Sequence, residues 1–400
     1  IPYGEAAANV PVLVVTYVEG TGDTAPAPTP EPTPEPVAPT PPPPTPTPEP
    51  VPAPDSGSLI EWQARLEATI NNPRYSGGST WMDPKVQAAT GNIYKYGRDL
   101  NNYITSLTLA YRETDDHDLA EQLDMVMNIA ENELADTNGD GYRNWLYFTK
   151  TDASSDPYLG TDLHVMDEML THSVVAAAAY TLKQAGFSDS AAFWTDYLEN
   201  DFEAKWRARN KKPSGFPFIG HFLVHPTTQF IRYNFYMYKL TGDSSYYAEA
   251  KRLAGIIKRQ MRPVTTPGGE GYVWDHKVGG TSGCQPTVYI KYTTQALADL
   301  ATADSSLFDS SFMKHVANTM AYNVLLNTDG TQMAGNICGT GTYGSLHTFA
   351  QYPYAQLAAW DDSNRLETAA LRAYAATERW NLASPVSYTI PATMVFTLGR

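Results

Sequence analysis

Cysteine is nearly absent from this chain: Cys284 and Cys338 are the only two among 400 residues. A dense disulfide framework is excluded, leaving one bridge or two buried thiols. Basic residues are scarce too, 28 against 43 acidic ones, for a formal net charge of −15. That balance speaks against nucleic-acid binding, which needs a basic footprint, but leaves room for a local cationic pocket in an acidic exterior. No run of ~20 apolar residues is present to span a membrane. Walker A loops, Gly-x-Gly-x-x-Gly turns after a strand and Gly-x-Ser-x-Gly elbows are missing, so nucleotide and serine-hydrolase chemistry lack support.

Proline, by contrast, is concentrated in one place. Residues 25–54 hold 16 prolines interleaved with Ala, Thr, Glu and Val. Such a segment cannot bury a core and reads as a semi-rigid polyproline II spacer. Three regions follow. Residues 1–24 contain the β-branched run Val-Pro-Val-Leu-Val-Val-Thr-Tyr-Val, which reads as the tail of a truncated upstream β domain or as a frayed extension. Residues 25–57 form the linker. Residues 58–400 are long enough for one large domain.

That domain reads as all-α. Apolar residues at three- and four-residue spacing predict helices near 58–71, 96–112, 117–134, 162–184, 189–207, 223–241, 244–261, 287–301, 307–327, 347–360 and 364–378. Short polar turns at 112–118, 241–247 and 361–365 separate pairs of helices, each with a capping residue. Helical hairpins in series predict an (α/α) toroid, an incomplete barrel of six or seven hairpins, with an open superhelix as the alternative. Long loops at 72–95, 136–161, 208–222, 262–286 and 328–346 would build the rim of a cleft.

The most informative helix is predicted from Pro226 to the Thr241-Gly242-Asp243 stop. Its residues His225, Gln229, Arg232 and Tyr236 fall at i, i+4, i+7 and i+11, on one face. An imidazole, an amide, a guanidinium and a phenol in one stripe predict a buried helix lining a polar cavity. A second stripe, His164, Glu168 and His172, predicts that His172 lines the same cavity. Asp136, Asn138 and Asp140 followed by Gly141 match the start of a calcium loop, without the Glu that would close it at Tyr147. A plain Asx-rich turn explains them equally well. Aromatic loops supply Trp274, His276, Tyr289, Tyr292, Tyr343 and His347 from a pool of 26 Tyr and 8 Trp, residues whose flat faces stack on sugar rings.

Four stretches carry a resemblance: GRDLNNYITSLTLAYRETDDHDLAEQL, ADTNGDGYRNW, GTDLHVMDEMLTHSVVAAAAY and LVHPTTQFIRYNFYMYKLTGDSSYYAEA. Across residues 90–380 the chain resembles the toroid polysaccharide lyases of the alginate or glucuronan lyase type. The linker is similar to those of secreted bacterial polysaccharide-degrading enzymes. The resemblance implies an extracellular enzyme, acting as a monomer on an anionic polysaccharide and needing no cofactor for catalysis, with at most a structural calcium. It implies β-elimination at a uronate: the carboxylate is neutralised, a base takes the C5 proton, and an acid protonates the leaving oxygen. On that reading Asn102 and His172 address the carboxylate and His225 or Tyr292 is the base. Arg232 stabilises charge, and Tyr236 or Tyr343 is the acid. Arg98, Gln229, Trp274, His276 and His347 bind substrate. An inverting glycoside hydrolase on the same toroid is the rival, drawing its two carboxylic acids from Asp167, Glu168, Asp275 and Asp361. A non-catalytic carbohydrate-binding module is the third reading.

Overall fold

Polar turns set the helices of this chain, and each works through an identifiable cap. Asp116, Asp243 and Asp309 sit in extended conformation and accept hydrogen bonds from the backbone N–H of Asp118, Ser245 and Phe312 respectively. Gly242, at φ 77°, closes the preceding helix by donating its N–H to the Tyr238 carbonyl. The elements so delimited are α1 (Asn101–Thr114), α2 (His117–Asn132), α3 (Val165–Gln184), α4 (Ser188–Tyr197), α5 (Ala204–Arg209), α6 (Val224–Thr241) and α7 (Ser244–Gln260). A hairpin of β1 (Arg262–Thr266) and β2 (Gly269–Val273) follows, then α8 (Thr287–Ala303), α9 (Ser310–Thr319), a 3₁₀ segment (Pro353–Trp360) and α10 (Arg365–Trp380). Three π turns are fused to the helices: Tyr96–Leu100 leads into α1, Leu198–Glu203 joins α4 to α5, and Met320–Val324 extends α9.

This computed structural model describes residues 61–64, 88–148, 160–161, 164–209, 223–281, 283–327, 332–343 and 353–380. All lie within one compact unit, Pro52–Arg400. The N-terminal tail, the linker and most of the 58–71 helix lie outside the described residues.

Helices α1, α3, α6 and α8 pack in succession, and each also pairs with the helix that follows it, α2, α4, α7 and α9. Their contacts show that the four run parallel. Arg98, just before α1, meets Asp167 in the first turn of α3. Ser173 of α3 meets Gln229 of α6, and one end lower Lys183 donates to the Leu240 carbonyl. His225 stacks on Tyr289 at the start of α8, whereas Tyr236 reaches Asp299 near its end. The first turns of these four helices therefore meet at one end of the bundle.

The mostly helical structure agrees with the all-α reading, and helix boundaries fall within a few residues of the sequence expectation. One loop expectation needs correction. Residues 262–273, read as part of a long loop, form the antiparallel hairpin, with Thr266 opposite Gly269 across the Pro267-Gly268 turn. The turn signal was present, but flanking strands of five residues are too short to show a period of two above the noise. Cys284 and Cys338 are joined as a disulfide. No helix among the described residues is long and apolar enough to cross a membrane.

Candidate active site

At the end where the four N-termini meet, imidazole, phenol and guanidinium groups converge. His225 opens α6, fully buried; its ring lies 4.6 Å from Tyr289, 5.3 Å from His276 and 6.1 Å from Tyr292, stacked on all three or nearly so. Nε2 of His225 lies 3.3 Å from Met166 Sδ. Tyr289 and His276 lie in turn 4.8 Å apart, their rings tilted by 37°. Both are half-buried, so they are the rings of this stack that reach solvent. Burial holds the His276 imidazole below the usual histidine range, with the adjacent Asp275 carboxylate opposing and Lys277 assisting, so the ring is neutral near pH 7. Lys291 places its ammonium 4.7 Å over the Tyr292 ring.

Arg98 completes this end. Its Nε donates to Asp167 Oδ1 at 2.9 Å, and its guanidinium lies 4.5 Å over the Tyr94 ring. Burial opposes its charge, but Asp167 first, then the phenols of Tyr292 and Tyr94, keep it firmly protonated. Next to it His164 caps α3, its Nδ1 accepting from the Asp167 N–H, while its ring stacks on Tyr147 at 4.1 Å.

The loop that holds His276 is fixed by Asp275, whose carboxylate accepts from the N–H of Lys277 and of Gly283. The hairpin and disulfide flank this loop, and the Val224 N–H donates to the His276 carbonyl, tying it to the start of α6.

Below this layer the α6 stripe continues inward, and it is sealed. Gln229 accepts from Ser173 Oγ and donates to the Tyr292 carbonyl. Beside it Gln295 of α8 donates to Asn101 and Thr105 of α1. Lower still, Asp299 accepts from Tyr236 at 2.7 Å and from Arg112 of α1 at 2.5 Å, with Arg232 Nε 2.7 Å from its other oxygen. Burial alone would raise the Asp299 carboxyl; Arg232 and Arg112 override it and hold it below its ordinary value. Burial, chiefly, pushes the Tyr236 phenol upward. Arg232 and Tyr236 are both wholly excluded from solvent. The stripe does share one face, but only its His225 end belongs to the site; Arg232, Tyr236 and Gln229 hold helices together.

Several other expectations land elsewhere. His172, one residue before Ser173, turns away from the face of α3 that meets α6. Its ring stacks on Phe202 at 3.8 Å, its Nδ1 donates to the Glu168 carbonyl, and its Nε2 accepts from the Tyr197 hydroxyl. Burial first, then the Lys205 ammonium, depresses its pKa well below the usual range, making it a neutral core residue. Adjacent residues on a helix point 100° apart, so one step of register separates site from core. Trp274 is likewise a core residue, fully buried, with its indole donating to Gln285. Tyr343 packs partly buried against the core, its N–H bound to the Met333 carbonyl. The Asn102 side chain and all of His347 lie outside the described residues. Asn101 enters the interior, just after the π turn Tyr96–Leu100. Tyr289, named only among the aromatic candidates, and Lys291, not named at all, join the site; their proximity to Tyr292 in one helical turn was the available signal.

The Asp136–Gly141 loop is an Asx-rich turn whose side chains cap its own backbone amides. Asp136 accepts from the N–H of Gly139, Asp140 and Gly141, and Asn138 and Asp140 each accept from an N–H two residues on. No group of three or more His, Cys, Asp or Glu side chains that could hold a metal ion occurs among the described residues. A surface cavity of about 480 Å³ between α2 and α4 is lined by Asp124, Glu131 and Asp189 with Phe187 and Phe193, a surface that repels an anionic polymer.

No family model and no curated protein matches the chain.

Proposed function

We propose that this protein is a secreted polysaccharide lyase that cleaves a uronic-acid-containing polymer by β-elimination on an (α/α) toroid. The observation that carries the reading is the stack of His225, His276, Tyr289 and Tyr292, flanked by the cations Arg98 and Lys291, at the N-terminal ends of four parallel helices. Helix N-termini and two basic side chains suit the uronate carboxylate, whose neutralisation lets charge develop at C5. A neutral imidazole can take the C5 proton, and a phenol can return one to the leaving oxygen. His276 and Tyr289 are the groups that reach solvent; His225 and Tyr292 lie beneath and hold their rings. The order of helices, each of α1, α3, α6 and α8 pairing with its successor, supports the toroid.

The hydrolase reading finds its four carboxylates already engaged. Asp167 is bound to Arg98, Glu168 to Lys205 and Trp206, Asp275 to loop amides, and Asp361 to the Ser363 and Leu366 N–H groups. An acid pair spanning a scissile bond needs two carboxyl groups facing one gap.

The test is absorbance near 235 nm during incubation with alginate, glucuronan and a neutral glycan. Absorbance is expected to rise on a uronan only, from the unsaturated product. Tyr289→Phe and His276→Ala are each expected to lower kcat/KM by about 10²-fold or more with folding intact by circular dichroism. New reducing ends without absorbance would overturn the lyase in favour of hydrolysis, and binding without any cleavage would leave a carbohydrate-binding module.

A further inference from the structure

In the sealed lower layer, two arginines face a single carboxylate among the described residues. Arg112 and Arg232 share one carboxylate, Asp299, and neither forms another ion pair among the described residues. Arg112 is partly exposed and bonds both Asp299 and Tyr236. Arg232 is fully buried, and its position is different. Its Nε touches Asp299 Oδ2 at ion-pair distance but off the N–H axis, and its Nη1 and Nη2 have no hydrogen-bond partner. A guanidinium with both terminal nitrogens unpaired in a dry interior is costly, and the usual resolution is an acceptor the protein does not supply.

The helix register gives the residues that lie at the level of Arg232. On α3, Ser173 meets Gln229 and Tyr180 lies 5.7 Å from Tyr236, which puts Ala176 level with Arg232. On α1, Thr105 meets Gln295 and Arg112 meets Asp299, which puts Thr108 at the same level. Thr108 is buried and its Oγ1 also lacks a hydrogen-bond partner. One level of the bundle thus offers a buried cation, a spare hydroxyl donor and a methyl group where a longer side chain would fill the space.

We infer that this level is a binding site for one small monovalent anion of the halide class, chloride in particular, held by Arg232 Nη1 and Nη2 with Thr108 Oγ1. An anion rather than water alone answers the unbalanced charge: water satisfies donors but leaves two guanidinium groups against one carboxylate. The site is too enclosed for a sugar carboxylate, so it is distinct from the candidate active site and independent of the lyase reading. Its ligand would act as part of the core, tying α6 to α1.

The experiment uses the full chain, refolded and dialysed into sodium gluconate, then titrated with sodium chloride or bromide at constant ionic strength. The thermal midpoint is expected to rise by about 2–4 °C as the halide reaches some 100 times its dissociation constant, with no rise in gluconate. Thr108→Val should shift the titration to higher halide concentration. Arg232→Met should abolish the halide response; should that variant fail to fold, crystals of the unaltered protein grown in bromide decide the matter. A bromide anomalous peak at hydrogen-bond distance from Arg232 Nη1 and Nη2 is expected. Ordinary water at that position, or equal midpoints in halide and gluconate, would overturn the assignment.

Discussion

His172 illustrates how a single residue's environment turns into a measurable pH dependence. Its imidazole is neutral in the fold because burial and Lys205 disfavour its charge, while in the unfolded chain it titrates near the usual ~6.5. Between the depressed folded value and ~6.5 the unfolded state binds the extra proton, so stability is full above ~6.5 and is lost as pH falls below it. The slope is about 1.4 kcal/mol per pH unit for the one proton. Denaturant unfolding from pH 7 to pH 5 should show it, and His172→Gln should flatten that window while lowering stability at pH 7 through the lost Tyr197 bond. Asp299 titrates in a different range. Its folded value is depressed, so its contribution is present above the ordinary carboxylate range and disappears only as pH drops below about 4. Asp299→Asn should cost about 3–5 kcal/mol, since it leaves two arginines facing each other without their carboxylate.

At the scale of the element, the π turn ahead of α1 determines where Arg98 points. Gly97 in that turn packs against α3 so closely that a Cβ there would lie 2.9 Å from Thr171 Oγ1 and 3.1 Å from the Asp167 carbonyl. Gly97→Ala must therefore push the turn off α3 and pull Arg98 from Asp167. The expected result is a loss of about 1–3 kcal/mol in stability together with, on the proposed lyase reading in which Arg98 binds the uronate carboxylate, a rise in KM exceeding the fall in kcat. An equal change in both constants would argue that the turn positions reacting groups instead. The helices themselves were legible from their caps and apolar spacing, as Asp116, Asp243 and Gly242 show. The π turns were not, because one extra residue in a turn leaves no compositional mark and only the packing of Gly97 against α3 reveals it.

For the whole molecule, the Cys284–Cys338 bridge joins the loop before α8 to the 332–343 segment across 54 residues of chain. Beside it the Thr287 N–H donates to the Gly335 carbonyl and the Ile337 N–H to the Gln285 carbonyl, so the bridge anchors the end of α8 that carries Tyr289 and Tyr292. Replacing both cysteines by serine should cost roughly 2–4 kcal/mol by denaturant titration, as expected for closure of a loop of this length. Uronan cleavage should fall as well, with part of the loss recovered at lower temperature. A stable but inactive variant would place the bridge's role in the site rather than in the fold.

Composition and periodicity by themselves determined the class of this protein: a helical body after a proline-rich spacer, acidic overall, with a polar stripe on one helix. These properties are local, and capping, helical spacing and charge counting read them without knowing any partner. The sequence also placed Arg98, His225, His276 and Tyr292 among the candidates. Only the tertiary structure decided which polar residues face solvent and which face each other. His225 and Arg232 share a helix face, yet one stacks with the rings of the site and the other is sealed against Asp299. His172 looks equivalent to His225 in spacing, and one step of register sends it into the aromatic core with Phe202. The physical reason is that a helix stripe fixes direction around an axis, whereas exposure depends on depth along it and on the neighbouring helices that close over it.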